Sequence, residues 1–115
     1  MDKEVLESVG INYDEAVDRF AGSMDVFEKF LKEMATINVI DVLQKKLIEK
    51  DVEGSFKLAH TLKGNFGNLS VIPLYKITSS IVDELKDGNI IEAQKLYIEL
   101  EKSYKTVTDG IRKAM

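Results

Sequence analysis

Apolar residues recur along the 115-residue chain with the period of an α-helix almost everywhere. No stretch alternates apolar and polar residues over more than a few positions, as a half-buried β-strand would. The pattern therefore predicts an all-α protein whose stripes form one core. The clearest stripes are Phe27, Phe30, Leu31 and Met34; Ile37, Ile40, Leu43 and Leu47; Leu74, Ile77, Ile81 and Leu85; and Ala93, Leu96, Leu100, Tyr104, Val107 and Ile111.

Residues that favour helix ends divide this pattern into segments. Asn12, with Glu15 three residues later, has the spacing of a capping box, and Pro73 is favoured in a first turn because its missing N–H would be unpaired there. Further starts are indicated by Ser23, Asp51 and Asn89, and further ends by Gly10, Gly22 and the turn Asp87–Asn89.

These boundaries predict two short helices, over 3–9 and 12–22, followed by four long ones. The long helices cover 23–50, 51–69, 73–86 and 89 to near the C-terminus, with a kink in the first near Thr36 or Asn38. Long helices joined by very short links run antiparallel to their neighbours. We therefore expect a single domain over 1–115, an up-down-up-down four-helix bundle with the short N-terminal helices packed at one end.

Composition removes several classes of function. Sixteen basic against 20 acidic residues give a formal charge of -4, whereas a nucleic-acid-binding domain needs a basic face. The absence of cysteine excludes thiolate chemistry and disulfides, and no apolar run approaches the roughly 20 residues that span a membrane. The N-terminus lacks the pattern of a secretory signal, so we expect a cytoplasmic protein. Because the chain begins with Met and ends soon after the last helix, we expect it to be free-standing.

The only histidine, His60, lies in the second long helix. On a helical wheel with ~100° per residue, Leu58, Leu62, Phe66 and Leu69 gather roughly opposite His60, with Ala59 extending their arc. His60 is therefore expected to face solvent. Its predicted neighbours on that face are Phe56, Lys57, Lys63, Gly64 and Gly67.

Those neighbours indicate a function for the exposed imidazole. Two glycines inside one helix each cost on the order of 1 kcal/mol relative to alanine, so they need a reason. Beside His60 they would let another protein's backbone approach the ring, and two lysines would supply positive charge for a phosphoryl group. For Phe56, an unremarkable exposed aromatic and a piece of docking surface are both open.

The chemistry available to a lone exposed imidazole is narrow. A metal site needs several convergent ligands and there is no second histidine, while a hydrolase needs a concave pocket with an orienting acid. Covalent catalysis by the histidine itself remains, with a partner supplying the rest of the active site.

The stretch LAHTLKGNFGNL, with HTLKG at His60–Gly64, resembles the signature of histidine-containing phosphotransfer (HPt) domains of bacterial and eukaryotic phosphorelays. The resemblance covers nearly the whole chain. That family has a His-x-x-Lys-Gly core on the second helix of a four-helix bundle, and a small residue near Gly67. One departure is Ser70, where many members have glycine, and it concerns the geometry of the helix end.

The resemblance implies that His60 is phosphorylated, that Lys63 assists electrostatically and that Gly64 provides clearance. It implies a carrier that neither binds ATP nor phosphorylates itself. The phosphoryl group would come from an aspartyl-phosphate on a receiver domain, of a response regulator or hybrid histidine kinase, and pass to another receiver. Mg²⁺ is expected from the receiver, with no cofactor or metal on this chain, which we expect to be a monomer. Lys57, Gly67 and Phe56 are supporting or docking candidates.

Two alternatives remain open at this point. The chain could be an interaction module that binds a signalling protein without exchanging phosphate. It could also be the phosphotransfer domain of a chemotaxis-type kinase severed from its catalytic domains, in which case a receiver would not be its donor. Phosphorylation of His60 by a receiver separates both from the phosphorelay carrier.

Overall fold

The computed structural model describes all 115 residues and is all-α. Its seven helices are α1 (Lys3–Ser8), α2 (Tyr13–Arg19), α3 (Met24–Thr36), α4 (Asp41–Ile48), α5 (Val52–Asn68), α6 (Ile72–Lys86) and α7 (Ile90–Ala114). The only β-type pairing is an isolated bridge between Ile11 and Val71. The predicted fold class is confirmed, including the two short N-terminal helices.

Helix α7 contacts most of the other helices of the bundle. Helix α5 packs against α6, α6 against α7, and α3 and α4 complete the ring by packing against α7, while α4 also contacts α5. Links of three residues join α4 to α5, α5 to α6 and α6 to α7, so these neighbours run antiparallel. At about 1.5 Å per residue, α7 alone spans most of the 39 Å long axis. Helix α1 packs against α7.

The predicted first long helix is broken in two, at the place where a kink is predicted. The run of helical hydrogen bonds is interrupted between α3 and α4, and two tyrosines of α7 bond to backbone groups at the break. The Tyr104 hydroxyl lies 2.6 Å from the Met34 carbonyl oxygen and accepts from the Val39 amide at 3.3 Å, while the Tyr97 hydroxyl donates to the Ile40 carbonyl at 3.2 Å. Burial raises the pKa of Tyr97 to about 12, so it remains a donor at neutral pH.

Five residues predicted to be in the core are not fully buried, and two of them, Ile77 and Leu96, are half-buried and pack against it. Ile37 is 61% exposed because it ends α3 in an extended conformation, which takes its side chain off the helical stripe. Phe30 is 44% exposed and packs at the edge of the core, with its ring centroid 6.1 Å from that of Phe20. Leu58 lies at the margin of the core-facing arc of α5 and is half-buried.

The predicted helix starts lie where the sequence indicates them. The side chains of Asn12 and Asp51 accept hydrogen bonds from the Glu15 and Gly54 amides, and Pro73 lies in the first turn of α6. Ser23 and Asn89 occupy N-cap positions without capping through their side chains.

Hydrogen bonds between the α1–α2 link and the α5–α6 link hold the N-terminal helices against the end of α5. The Asn12 amide donates to the Ser70 carbonyl at 2.9 Å, and the Ile72 amide donates to the Gly10 carbonyl at 3.1 Å. The α1–α2 link therefore lies beside the α5–α6 link. This contact places α2 next to the C-terminal half of α5, which starts at His60.

Candidate functional site

His60 is exposed in the middle of α5, as the helical wheel predicts. The opposite side of the helix is anchored in the core by Ala59, Leu62 and Phe66, all buried. Packing of those three side chains fixes the rotation of α5 about its axis. The imidazole therefore faces outward because the core residues around it face inward.

A polar groove of about 400 Å³ lies beside His60, toward the C-terminal end of α5. Helices α2, α5 and α6 form its walls, so it is concave although the bundle surface around it is convex. Its lining residues are Glu15, Arg19, His60, Lys63, Gly64, Gly67, Asn68, Ile72 and Tyr75. Four of the six predicted site residues, namely His60, Lys63, Gly64 and Gly67, are thus brought together in one groove.

Lys63 is half-buried on the wall of the groove and contacts an aromatic ring. Its Nζ lies 5.9 Å from the centroid of the Tyr75 ring, within the range of a cation–π contact. The ammonium group therefore lies beside Tyr75 on the wall of the groove that contains His60.

The two glycines serve different purposes. A Cβ added at Gly64 would meet no atom within 4 Å, so the space beside the imidazole is open to a partner. A Cβ added at Gly67 would lie 3.2 Å from two ring carbons of Tyr75. The interpretation of Gly67 as clearance for a partner needs correction, because the space above Gly67 is filled by the chain's own tyrosine.

The two remaining predicted residues lie outside the groove lining. Lys57 is exposed and forms an ion pair with Glu53, with Nζ 3.2 Å from the Glu53 Oε1 atom. Phe56 is half-buried, and its ring centroid lies 6.1 Å from that of His60 with the planes tilted by 34°. Phe56 therefore borders the imidazole on the side away from the groove.

Ser70 occupies the left-handed position that ends α5, where glycine is usual. Its φ of +57° lies in the left-handed region, and its amide donates to the Gly67 carbonyl while the Val71 amide donates to the Phe66 carbonyl. These two bonds form a Schellman motif, which normally favours glycine at this position. Serine keeps the geometry and adds a hydroxyl, whose Oγ donates to the Glu15 carboxylate at 2.9 Å.

Glu15 connects that helix end to a second cation. The predicted capping-box bond from its carboxylate to the Asn12 amide does not form, because that amide donates to the Ser70 carbonyl. Glu15 Oε1 instead accepts from Ser70 Oγ and from Arg19 Nε, the latter at 3.2 Å. Only Nε of Arg19 is engaged in this way, which leaves its two Nη groups available on the edge of the groove. Arg19 and Lys63 are the cationic side chains of the groove.

Sequence reasoning did not identify Glu15 as a site residue, nor Arg19 or Tyr75. The sequence contains a weak signal that Tyr75 lies near Gly67. Residues that precede and follow a tight antiparallel link at similar distances lie side by side, and Gly67 and Tyr75 flank the link Leu69–Val71 in this way. For Arg19 there is none, since the placement of α2 beside α5 depends on hydrogen bonds between two links that no local pattern indicates.

The structure shows no group of three or more His, Cys, Asp or Glu side chains placed to hold a metal ion. None of its helices has the length and apolar character needed to cross a membrane.

Comparison with protein families identifies the family to which this fold belongs. The family model of the Hpt domain matches residues 25–110, which contain His60 and include the bundle except the first residue of α3 and the last residues of α7. Helices α1 and α2 precede the matched region. No curated protein and no solved structure matches the chain. With an exposed histidine in its second long helix and a family match over most of its length, the chain belongs to the Hpt domain family.

Proposed function

We propose that the protein is a phosphorelay carrier, which accepts a phosphoryl group on His60 from the aspartyl-phosphate of one receiver domain and delivers it to another. The supporting observation is the placement of His60. The only imidazole of an Hpt-family chain is exposed beside open space and shares a groove with two cations. Hpt domains act in phosphotransfer within two-component signalling.

The proposed transfer is an in-line displacement at phosphorus. A lone pair of one ring nitrogen of neutral His60 forms the new P–N bond while the P–O bond to the receiver aspartate breaks. The carboxylate leaves with the bonding electrons, and the ring gives the proton of its other nitrogen to solvent, which restores a neutral phosphoimidazole. Delivery to the next receiver reverses these steps.

The residues of this chain contribute position and charge to that step. Packing of α5 in the core orients the imidazole, and the open space at Gly64 admits the receiver's backbone and phosphoryl group. Lys63 and Arg19 line the groove beside the ring, where positive charge offsets the charge on the transferring oxygens. Phe56 offers an apolar contact to the receiver on the other side of the ring.

The proposal assigns the remaining chemistry to partners. Mg²⁺ is expected on the receiver, and the side chains of this chain do not converge on a metal site. The protein is proposed to lack autonomous kinase activity and to act as a monomer. Its partners are proposed to be receiver domains of response regulators or hybrid kinases. A cytoplasmic location follows from this proposal, because the ATP-dependent kinases that charge such relays act there.

A two-step transfer tests the function. A receiver domain from the same genome is charged with radiolabelled acetyl phosphate and Mg²⁺, mixed with the protein, removed, and replaced with an uncharged second receiver. The proposal expects acid-labile, base-stable label on the protein after the first step and its loss to the receiver after the second. If charged receivers bind the protein but transfer no label to it, the protein is instead an interaction module. The variant His60→Gln is the control.

A further inference from the structure

Tyr75 connects the two residues of α5 that line the groove on the side of α6. Lys63 and Gly67 are four residues apart, so they lie one above the other on the same face of the helix. The Tyr75 ring lies against Gly67, with two ring carbons 3.2 Å from the position that a Cβ would occupy, and the Lys63 ammonium lies over the same ring. Glycine therefore allows the ring to approach the helix closely enough to reach Lys63.

The contact restricts a side chain that would otherwise be mobile. Lysine carries its charge on a flexible four-carbon stem and retains many rotamers at a surface. Lys57, on the same helix, uses its freedom to pair with Glu53, whereas the contact of Lys63 is with the aromatic ring. An aromatic face attracts the ammonium without neutralising its charge, so the charge remains available to an anion.

We propose that Tyr75 is a positioning residue that holds the Lys63 ammonium on the wall of the groove, ready for the phosphoryl group on His60. The inference rests on the proposed function of His60 and goes beyond it, because it assigns roles to a residue of α6 and to Gly67. Tyr75 acts through Lys63, and the ring rather than the hydroxyl carries the effect.

The contact itself can be measured without any phosphotransfer. In the full-length protein, NMR should show the Lys63 side-chain methylene protons shifted upfield by the ring current of Tyr75. Replacement of Tyr75 by Leu should move these resonances to the range of the exposed lysines, whereas Tyr75→Phe should retain the shift. Gly67→Ala provides a second route to the same result, because the added methyl displaces the ring from the side of α5. Unshifted Lys63 resonances in the wild-type protein would overturn the proposal.

The role of the contact is measured with potassium phosphoramidate, which phosphorylates imidazole directly. The P–N bond of the reagent breaks, the new P–N bond to His60 forms and ammonia leaves, so no receiver is involved. We expect Tyr75→Leu to slow phosphorylation about two- to fivefold, the factor that corresponds to a partly exposed cation–π contact. Tyr75→Phe should restore the wild-type rate, and thermal melting establishes that each variant is folded.

A double-mutant cycle separates positioning from a general structural effect. In a Lys63→Ala background, Tyr75→Leu should cause no further loss, while in a Lys57→Ala background it should cause the full loss. An equal loss in both backgrounds, an unchanged rate in Tyr75→Leu, or failure of Phe to rescue would each overturn the role of Tyr75 while leaving that of His60 intact. If neither phosphoramidate nor a charged receiver phosphorylated His60, the proposed function would fail, and the role of Tyr75 with it, even with the NMR contact present.

Discussion

Lys57 and Lys63 lie three residues before and after His60, about 60° to either side of it on a helical wheel, yet their surroundings differ. Lys57 is on an open helix face, where an exposed ion pair with Glu53 engages its charge. Lys63 is half-buried in a groove made by three helices and contacts Tyr75. Helical spacing thus decides which face a side chain occupies, whereas packing against other helices decides what its charge can do.

The two glycines near His60 show the same contrast. Gly64 faces open space, which under the proposed function admits the receiver domain. Gly67 faces Tyr75, so its lack of a side chain benefits packing inside the chain. Under the proposed function, residues of the same type on the same helix therefore serve recognition in one case and internal geometry in the other.

The largest expected effect comes from the residue between the two lysines. His60→Gln should abolish phosphoryl acceptance, because no other imidazole exists in the chain. The free energy of unfolding should change by less than about 0.5 kcal/mol, since the side chain is exposed. Transfer assays and thermal melting measure the two quantities. A large drop in stability would mean that His60 supports the fold.

Filling the open space at Gly64 should have the next largest effect. Gly64→Gln should slow transfer from a charged receiver by about a hundredfold or more, because the side chain occupies the volume that the receiver's phosphoryl group must enter. Gly64→Ala should slow it only mildly. Stopped-flow transfer with the two variants gives the comparison, and a wild-type rate for Gln would show that the open space has no function.

Removing each lysine tests the comparison between them directly. Lys63→Ala should slow transfer by about tenfold or more, since its charge lies in the groove with His60. Lys57→Ala should change the rate by less than about twofold, because exposed ion pairs contribute little and Lys57 lies outside the groove. Arg19→Ala should fall between them. Equal effects of the two substitutions on the transfer rate would show that the different surroundings of the two lysines do not matter for transfer.

The smallest effect is on stability and separates the two glycines. Gly64→Ala should raise the free energy of unfolding by roughly 0.4 to 1 kcal/mol, because the backbone there is helical and the added methyl meets nothing. Gly67→Ala gains the same helix propensity but must displace the Tyr75 ring, so its net gain should be smaller or negative. Urea unfolding measures both. Equal gains would indicate that Tyr75 moves without cost.

Local patterns predicted the parts of the fold that depend on local physics. The apolar stripes, the caps at Asn12 and Asp51 and the position of Pro73 identified the helices, and the three-residue links fixed their antiparallel order. The break after α3 was predicted only as a kink, because Tyr97 and Tyr104 stabilise it from more than 50 residues away in the sequence. Ile37 was misplaced for that reason.

The candidate site likewise has one part that local patterns predict and one part that they do not. The outward direction of His60 follows from the burial of Ala59, Leu62 and Phe66 on its own helix, so the wheel was sufficient. The groove was not predictable, because its other walls come from α2 and α6. Their placement depends on hydrogen bonds between two links, and on Ser70 adopting a left-handed conformation that favours glycine.

Locating the phosphoryl group by mass spectrometry tests the central claim most directly. The protein is incubated with a charged receiver and Mg²⁺, quenched at alkaline pH to preserve a P–N bond, and fragmented under conditions that retain labile modifications. We expect one phosphoryl group per chain, on His60, that disappears on acid treatment. Phosphate on a serine, threonine or carboxylate, or no phosphate with any charged receiver that binds, would contradict it.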